Sequence, residues 1–520
     1  MIVDAATAER IGLDWLRAAL APVGAFGRRH DEQVAPYGPG DEDAARAEIV
    51  RVVAAAASLD PHGVARVRAA LRAVPEPTPI VARARVGDPL GDVDFYELGR
   101  LVDALDAFAR AWDGAGGAPE GRPPRLDALR AVLAPGRAQA GFYLADAFGA
   151  GLRAARQAYA IAQADLERRQ AALAAEVRAI CGVDAVGEEF VVLRDAYAGP
   201  LPAGVHVVRE TPTYRLVSLA LIAPERDAAL TALSEEEERA RRALAERVAA
   251  HAEPIAAATR ALGALDRFLA RVAFAQRWSG CVPEFGADVA FDQATFAPLA
   301  EALAARGRRY TPLSLALANV AVLTGPNMGG KSAALATTGF LAACVALGAP
   351  PPARSLRLPL FAQIAWVGGD GPAERARLLS SYAAEVVRAR EVLGVAGPRA
   401  LVLIDEFART TGPREGKALL IAFLEAVRAR GAFALCATHF DAIAEAAGVA
   451  HLRIAGVRDE LLTSIDARDL DAALDAINAA MDYRVVAAHE SRAASDALAL
   501  AALLGVDPAL VARARELYGP

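Results

Sequence analysis

Two lysines occur among the 520 residues of this chain, and one of them lies in a segment that could bind phosphate. The segment has the form G-x-x-x-x-G-K-[ST] and reads Gly325-Pro326-Asn327-Met328-Gly329-Gly330-Lys331-Ser332. In such a loop the backbone N–H groups surround the phosphates, the lysine reaches the β- and γ-phosphates, and the hydroxyl binds Mg²⁺. We therefore predict a nucleotide-binding protein in which these residues contact the nucleotide and Ser332 also binds the metal ion.

An acidic pair follows an apolar run further along the chain. Residues 400–404 predict a buried strand that ends at Asp405 and Glu406. Phosphoryl transfer requires positioning and charge neutralisation rather than covalent chemistry. We therefore predict that Asp405 and Ser332 bind Mg²⁺, while Glu406 orients and deprotonates the attacking water. The catalytic groups predicted at this stage are Glu406 and Lys331.

A histidine follows a third predicted strand. Residues 433–438 are mostly apolar and lead into His439, at the edge of the sheet where a γ-phosphate or its attacking water would lie. We therefore add His439 to the predicted catalytic residues, as a γ-phosphate-sensing or water-orienting group. The spacing of the other histidines does not suit metal ligation.

The elements that must position these residues change in kind along the chain. From about residue 41 to 280, apolar residues recur at helical spacing, with short strands predicted at 190–193 and 205–209. Two long helical arms are predicted, at 151–180 and at 233–278 with an interruption at Pro254. After residue 310, β-rich runs alternate with helices, which predicts a mostly parallel sheet. Its predicted strands are 320–324, 361–367, 400–405, 433–438 and 452–454.

The composition excludes several classes of protein. With 54% apolar and 23% charged residues, and no long uninterrupted apolar run, the chain is predicted to be soluble and cytoplasmic, without a membrane partner. The cysteines are widely spaced and form no C-x-x-C pair, so we expect buried thiols rather than a zinc site or disulfides. The net charge of −6 argues against indiscriminate binding to nucleic-acid backbones, although a local basic groove is compatible with it.

The chemistry-bearing segments resemble those of a known family, the MutS-type ATPases, which belong to the ABC-like branch of P-loop proteins. The resemblance rests on the phosphate loop at 324–332, the acidic pair and its following turn at 403–411, and the segment 437–440 around His439. Ser380, Ser381 and Tyr382, followed by Glu385, resemble the Ser-Thr-Phe segment that reaches across a dimer to the partner's nucleotide in that family. The resemblance therefore implies ATP and Mg²⁺ as cofactors, contacts from Ser380 and Ser381 to the nucleotide, and a homodimer.

The resemblance also implies a division of the chain. It predicts an α/β C-terminal P-loop NTPase (ABC-like) domain at 306–520, a lever and core helical region at 205–305, and an N-terminal helical region at 1–204. The region before the ATPase domain is thus predicted to be all-α. The family's mismatch-correcting members begin with an α/β mismatch reader, for which the mostly helical first 150 residues leave little room. We therefore expect a short member that lacks this domain.

One segment contains a sequence pattern of the mismatch reader, but the surrounding residues predict a helix rather than an exposed strand or loop. Residues 94–98 contain the Phe-x-Glu pattern that mismatch readers stack on a mispaired base. Phe95, Leu98, Leu101 and Leu105, however, recur at helical spacing, which predicts a buried stripe. We expect Phe95 to pack in a core rather than to contact DNA.

Two functions remain open for the helical half. The first is a MutS-family ATPase that hydrolyses ATP in a dimer and uses closure to clamp mismatched or branched DNA, with arginines of the long helices on the phosphates. The second is an ATP-dependent factor that remodels a protein client. Short MutS-like chains with an Asp-Glu-Phe-Ala-Arg-Thr-Thr turn resemble ATPases associated with cobalamin-dependent aminomutases, where a reactivating role is supposed. The acidic balance favours the second function, whereas the family resemblance favours the first.

Overall fold

The structure is a computed structural model that describes residues 1–118, 121–185, 187, 189–219, 221–326, 330–368, 381–409, 411–440, 442–457, 481–488, 501 and 506–518. In these ranges no helix is both long enough and apolar enough to cross a membrane. The described residues pack into two compact units. Unit 1 contains Met1–Arg72, Arg110–Arg122 and Leu262–Pro520, and unit 2 contains Ala73–Ala109 and Pro123–Ala261.

The helices are α1 (Ala5–Arg10), α2 (Leu13–Ala19), α3 (Ala25–Gln33), α4 (Glu42–Ser58), α5 (Pro61–Arg72), α6 (Thr78–Arg85), α7 (Asp92–Gly114), α8 (Asp127–Leu133), α9 (Leu152–Cys181), α10 (Pro224–Ala249), α11 (Ala252–Trp278), α12 (Ala297–Ala304), α13 (Lys331–Ala346), α14 (Ser381–Val395), α15 (Pro413–Ala429), α16 (Ile443–Ala447) and α17 (Pro508–Tyr518). The strands are β1 (Arg137–Ala138), β2 (Gly141–Phe142), β3 (Glu189–Leu193), β4 (His206–Glu210), β5 (Tyr214–Ser218), β6 (Glu284–Phe285), β7 (Val289–Ala294), β8 (Leu313–Leu317), β9 (Val320–Thr324), β10 (Ser355–Leu358), β11 (Gln363–Val367), β12 (Ala400–Asp405), β13 (Phe433–Ala437), β14 (Ala450–Val457) and β15 (Met481–Ala487).

A six-stranded sheet forms the centre of unit 1. Its strand order is β11-β12-β13-β9-β14-β15, and all neighbours are parallel except β14 and β15. The sequence alternates strands with helices, and short βα connections place those helices on the faces of a parallel sheet. The carboxyl ends of β9, β12 and β13 therefore meet at one edge of the sheet.

Both faces of this sheet are buried, and side chains alternate between the two faces along each strand. In β12, Leu401 and Leu403 pack in a cluster with α13, whereas Val402 and Ile404 pack in a second cluster with α15 and α16. Successive side chains of a strand point to opposite faces, so a strand covered on both sides needs a continuous apolar sequence. This requirement explains the uninterrupted apolar run that predicts the strand.

Helix α13 is deeply buried against this sheet. Apart from Ser332 and Ala333 in its first turn, every residue of the helix is buried. The helix packs on β12 and β13, and alanine, glycine and threonine side chains allow that close approach. The position of its first turn is thus set by the core of the sheet.

The first residues of the chain pack on the same face of the sheet. Ile2 pairs with Gln363 in a parallel bridge, Thr7 is fully buried, and Ile11 packs against Gly339 of α13. Because β11 is an edge strand, this N-terminal segment covers backbone groups that would otherwise be open to another strand. A further four-stranded sheet in unit 1, with strand order β6-β10-β7-β8, contributes Val289, Phe291 and neighbouring residues to the same core.

Unit 2 combines long helices with a small sheet. Helices α9 and α10 pack against each other, and the antiparallel sheet β3-β5-β4 lies between them in the sequence. Leu173 and Val177 of α9 form a core with Phe190 and Val217 of the sheet. Phe95, Leu98, Leu101 and Leu105 of α7 are buried, so the expected buried stripe is confirmed.

Most predicted elements are present, with shifted ends. Strands β9 and β12 have the predicted bounds, β13 is one residue shorter, and β11 begins at Gln363 rather than 361. The arm predicted at 233–278 is two helices, α10 and α11. The break comes at residues 250–251, and Pro254 lies in the first turn of α11, where its missing N–H costs no helical hydrogen bond.

The predicted all-α character of the region before the ATPase domain is not confirmed. Among the described residues strands β1 to β7 fall within it, and the sequence predicts only β3 and β4. Strand β5 contains buried Arg215 between apolar residues, which weakens the strand signal. The predicted division at residues 204 and 305 stays a prediction, and the two compact units follow other bounds.

A glycine in α13 provides a test of the packing of the N-terminal segment. A Cβ on Gly339 would lie 2.5 Å from Cγ2 of Ile11 and 2.9 Å from Cδ1 of Leu403. We expect Gly339→Ala to lower the free energy of unfolding by about 1–3 kcal/mol because the core is overpacked. Gly394→Ala in α14 is the matched control, since nothing lies within 4 Å of its Cβ position and alanine favours a helix. Equal thermal midpoints for the two variants would contradict the packing of Ile11.

Candidate nucleotide-binding site

A glycine-rich loop joins β9 to α13. Gly325 follows β9 with φ +149°, and Gly330 precedes α13 in the left-handed region with φ +84°. A Cβ on Gly325 would come within 3.0 Å of Ile454, and one on Gly330 within 3.2 Å of the Tyr483 ring. Backbone conformation and space therefore both favour glycine at these ends of the loop. Asn327, Met328 and Gly329 lie outside the described residues, and the predictions for them stay predictions.

The ammonium group of Lys331 lies against the backbone of this loop. Its Nζ donates to the carbonyl oxygens of Gly325, at 2.8 Å, and Pro326, at 3.0 Å. Burial lowers the pKa of Lys331, while the nearby carboxylates of Glu406 and Asp405 act in the opposite direction. The loop thus carries a buried cation at the N-terminal end of a helix, where the helix dipole also favours an anion.

Ser332 and Asp405 are brought together from different elements. Ser332 Oγ, in the first turn of α13, donates to Asp405 Oδ1 at the end of β12 over 3.1 Å. Burial raises the pKa of the Asp405 carboxyl group, as does Glu406, whereas the Ser332 hydroxyl and the positive charges of Arg10 and Lys331 lower it. A hydroxyl and a carboxylate oxygen are hard donors of the kind Mg²⁺ uses, and Mg²⁺ commonly takes only one or two protein ligands. The pair therefore fits a magnesium ion.

Glu406 lies in a backbone turn with unusual geometry. Its φ is +53° and that of Ala408 is +63°, both in the left-handed region that non-glycine residues rarely adopt. The Glu406 N–H donates to Ala437 of β13 at 2.9 Å, and the side chain, about a quarter exposed, accepts from Arg409 at 3.2 Å. Strained residues persist where the surrounding structure fixes them, and they cluster at functional sites. The turn presents the Glu406 carboxylate at the sheet edge beside Asp405.

The strand next to β12 also ends at this turn. A Cβ on Gly368 would lie 2.1 Å from the carbonyl oxygen of Asp405, and the φ of Gly368 is +91°. Only a glycine allows the chain after β11 to approach the end of β12 so closely.

His439 reaches the same edge but makes a different contact. It follows β13, is exposed, and its ring packs on Phe440 with the ring centroids 4.5 Å apart. Thr438 beside it is fully buried and accepts a hydrogen bond from the Phe440 N–H. Among the described residues, the structure brings Lys331, Ser332, Asp405 and Glu406 together, while His439 lies near them at the end of the neighbouring strand.

The segment predicted to reach a partner's nucleotide is described only in part. Ser380 lies outside the described residues, and of Ser381 only the backbone, at the start of α14, is described. The roles predicted for both serines stay predictions. Glu385, one turn into the same helix, is buried, and its Oε2 accepts a hydrogen bond from the Ala408 N–H at 2.9 Å.

Several residues near the loop are not among those that the sequence predicts for the site. Tyr483 of β15 packs on Gly330, and His451 Nε2 lies 2.9 Å from Thr324 Oγ1 at the end of β9. Burial, and then the positive charge of Arg453, lower the pKa of His451, which favours its neutral form. The parallel pairing of β14 with β9 creates the His451 contact, and a single sequence does not display strand pairing.

The residues of this site fall within a region that matches a known family model. Residues 321–518 match the model described as MutS domain V. The matched region begins within β9 and therefore includes the glycine-rich loop, the acidic pair and His439. The match is confined to the C-terminal part of the chain.

Similar curated proteins match this chain over part of its length. An endonuclease MutS2 of Pelotomaculum thermopropionicum is 31% identical over 280 residues, which are 52% of this chain and 32% of that protein. A DNA mismatch repair protein MutS of a Caulobacter species is 33% identical over 280 residues, 51% of this chain and 29% of its own length. A DNA mismatch repair protein MutS of Thermus thermophilus is 30% identical over 326 residues, 61% of this chain and 39% of its own. The chain thus matches about a third of the length of these relatives.

Proposed function

We propose that this chain is a member of the MutS family that binds ATP with Mg²⁺ and hydrolyses it, because residues 321–518 match the model of MutS domain V. The observation that carries the proposal is the arrangement at the sheet edge. Lys331 lies on the loop carbonyls, and Ser332 is hydrogen-bonded to Asp405. A buried cation, two hard oxygen donors and a helix N-terminus together suit a magnesium-bound triphosphate.

The proposed roles of the residues follow from their positions. Lys331 moves from the loop carbonyls to the β- and γ-phosphates, while Ser332 and Asp405 hold the metal ion. The chemistry that Mg²⁺ supplies when bound is neutralisation of phosphate charge. Glu406 orients the attacking water and accepts its proton. His439 senses the γ-phosphate or helps to orient the water from the end of β13.

We expect Lys331→Ala to abolish nucleotide binding, because the loop loses the only side-chain cation that contacts it among the described residues. The dissociation constant of a fluorescent ATP analogue should rise by about 100-fold or more, as expected for the loss of a charge-assisted contact to phosphate. Lys417→Ala is the matched control, since Lys417 is the other lysine of the chain and belongs to α15 rather than to the loop. Equal affinity of the two variants would contradict the assignment of the loop.

We expect Glu406→Gln to retain ATP binding but to lower kcat by about 100-fold or more, because the amide cannot accept the proton of the attacking water. Glu425→Gln on the exposed face of α15 is the control and should turn over ATP at the wild-type rate. Steady-state hydrolysis and analogue binding measure the two quantities. A Glu406→Gln variant as active as the wild type would show that another group activates the water.

We further propose that two copies of the chain close on ATP. The support is the resemblance of the segment around Ser380 and Ser381 to one that completes a partner's site, together with the family of domain V. In this proposal Glu406→Gln, which binds but does not hydrolyse ATP, accumulates as a closed dimer. The mass of the variant in solution, with and without ATP, reports this state.

We propose that this dimer clamps DNA. The support is that similar curated proteins are named as DNA mismatch repair proteins and as an endonuclease. One observation favours the alternative, a protein client such as a cobalamin-dependent aminomutase. Each arginine of α9 pairs with a carboxylate of unit 2, so the positive charge on this long helix is neutralised locally.

A salt titration distinguishes DNA from a protein client as the bound partner. If DNA is bound through its phosphates, the affinity for a labelled duplex or four-way junction should fall at least about tenfold between about 50 and 200 mM salt. ATP should strengthen retention by the Glu406→Gln variant and leave Lys331→Ala unaffected. Failure to retain either DNA at low salt, with ATP present, would exclude the DNA proposal and leave the protein client.

A further inference from the structure

A buried carboxylate outside the predicted catalytic group holds the turn that carries Glu406. Glu385 Oε2 accepts a hydrogen bond from the Ala408 N–H at 2.9 Å, and both residues are buried. Ala408 and Glu406 have positive φ values, so the backbone between them does not keep this shape through its own preference. A hydrogen bond to the backbone inside the strained turn is therefore an anchor for the position of the Glu406 side chain.

The helix that carries Glu385 is itself fixed by the N-terminal segment. Arg388, one turn after Glu385 in α14, donates through Nε to the Trp366 carbonyl at 3.0 Å, and also donates to Asp4. Thr7 Oγ1 accepts from the Trp366 N–H at 2.9 Å and from Arg388 at 3.2 Å. The N–H and the carbonyl group of Trp366, near the end of β11, are thereby hydrogen-bonded to Thr7 and Arg388, and these two side chains also contact each other.

Asp4 fixes the start of this segment. Its carboxylate caps α1 by accepting from the Thr7 N–H at 2.9 Å, and accepts from the Thr7 hydroxyl at 3.1 Å. Partial burial raises the pKa of Asp4, but the bonds from Thr7 and Arg388 outweigh it and lower the pKa below its ordinary value. Hydrogen bonds thus join Asp4 to Arg388 and Glu385 to Ala408, and helix α14 carries both Arg388 and Glu385.

We propose that Glu385 is a positioning residue for Glu406, and that Asp4 and Thr7 of the N-terminal segment hold the helix from which Glu385 acts. The proposal rests on the proposed function, in which Glu406 activates the attacking water. It adds residues that do not touch the nucleotide to the groups on which hydrolysis depends. Part of this set, Asp4 and Thr7, lies outside the region that matches MutS domain V.

The effect should be on the rate of hydrolysis rather than on nucleotide binding. A displacement of a catalytic group by about 1 Å can cost about 100-fold in rate, so Glu385→Ala should lower kcat by about 10- to 100-fold. The dissociation constant of the ATP analogue should stay within about threefold of the wild type, since Lys331 and Ser332 are not displaced. Arg390→Ala, at an exposed side chain of the same helix, is the control.

Two substitutions distinguish positioning from general damage to the fold. Glu385→Gln keeps an oxygen that can accept from the Ala408 N–H and should restore kcat to within about threefold of the wild type. Glu385→Asp keeps the charge but withdraws it by one methylene group, and should be impaired like Glu385→Ala. If Glu385→Ala does not fold, the comparison of these two variants carries the test.

A measurement without nucleotide tests the contact itself. Hydrogen exchange of the peptide that contains residues 405–409 should be faster in Glu385→Ala than in the wild type or in Arg390→Ala. Asp4→Ala should have a smaller effect of the same kind, with kcat reduced by up to about fivefold, because the Asp4–Arg388 pair is partly exposed. Asp14→Ala, at an exposed carboxylate of α2, is its control.

A double variant decides whether Glu385 acts through Glu406. In a Glu406→Gln background, Glu385→Ala should lower kcat by less than about twofold, because the group that it positions is already lost. Independent effects that multiply would overturn the proposal, as would wild-type kcat and wild-type exchange in Glu385→Ala. If Glu406→Gln itself turns over ATP normally, the proposed function fails, while the exchange measurement still reports on the Glu385–Ala408 contact.

Discussion

The hydrogen bond between Ser332 and Asp405 joins the first turn of a buried helix to the end of a buried strand, and the rest of unit 1 is arranged to keep these two points together. A carboxylate removed from water is costly unless it is paired, and here the partners are a hydroxyl and the positive charges of Lys331 and Arg10. The apolar clusters on both faces of the sheet fix the helix and the strand independently. The site is therefore preorganised by the core rather than by flexible loops, which favours a reaction that depends on position and charge.

The same constraint explains why the turn after β12 needs support from outside the sheet. Asp405 is the last residue of the strand, whereas Glu406 and Ala408 adopt a backbone shape that the strand does not impose. Three features hold this turn in place. The Ala437 carbonyl accepts a hydrogen bond from the Glu406 N–H, Gly368 lets the chain after β11 approach the Asp405 carbonyl, and Glu385 accepts a hydrogen bond from the Ala408 N–H. The Glu406 carboxylate, which we propose activates the attacking water, is thus placed by elements from distant parts of the sequence.

The parts of the molecule that have a local signature can be predicted from the sequence, whereas those that depend on contacts between distant segments cannot. Strands β9 and β12 are predicted with their observed bounds because both are apolar on two faces and end at chemically distinct residues. The convergence of Lys331, Ser332 and Asp405 follows from the parallel arrangement of those strands, although their roles in ATP hydrolysis stay predictions. By contrast, the left-handed positions 406 and 408 are not occupied by glycine, so the sequence does not indicate the turn there. The contacts of Tyr483 and His451 arise only from strand pairing. Strand β5 escapes prediction because it contains a buried arginine, and the packing of Ile11 against Gly339 has no pattern in either segment.

The distribution of unit 1 along the chain has a consequence for biosynthesis. Met1–Arg72 belong to the same compact unit as Leu262–Pro520, so the buried side chains of Ile11 and Leu16 must wait for strands that leave the ribosome much later. Until then these apolar side chains have no native partner and are open to misassociation. Unit 2, most of which is contiguous, can complete its own core first. We therefore expect unit 1 to have the higher contact order of the two, to fold more slowly and to depend more on chaperones.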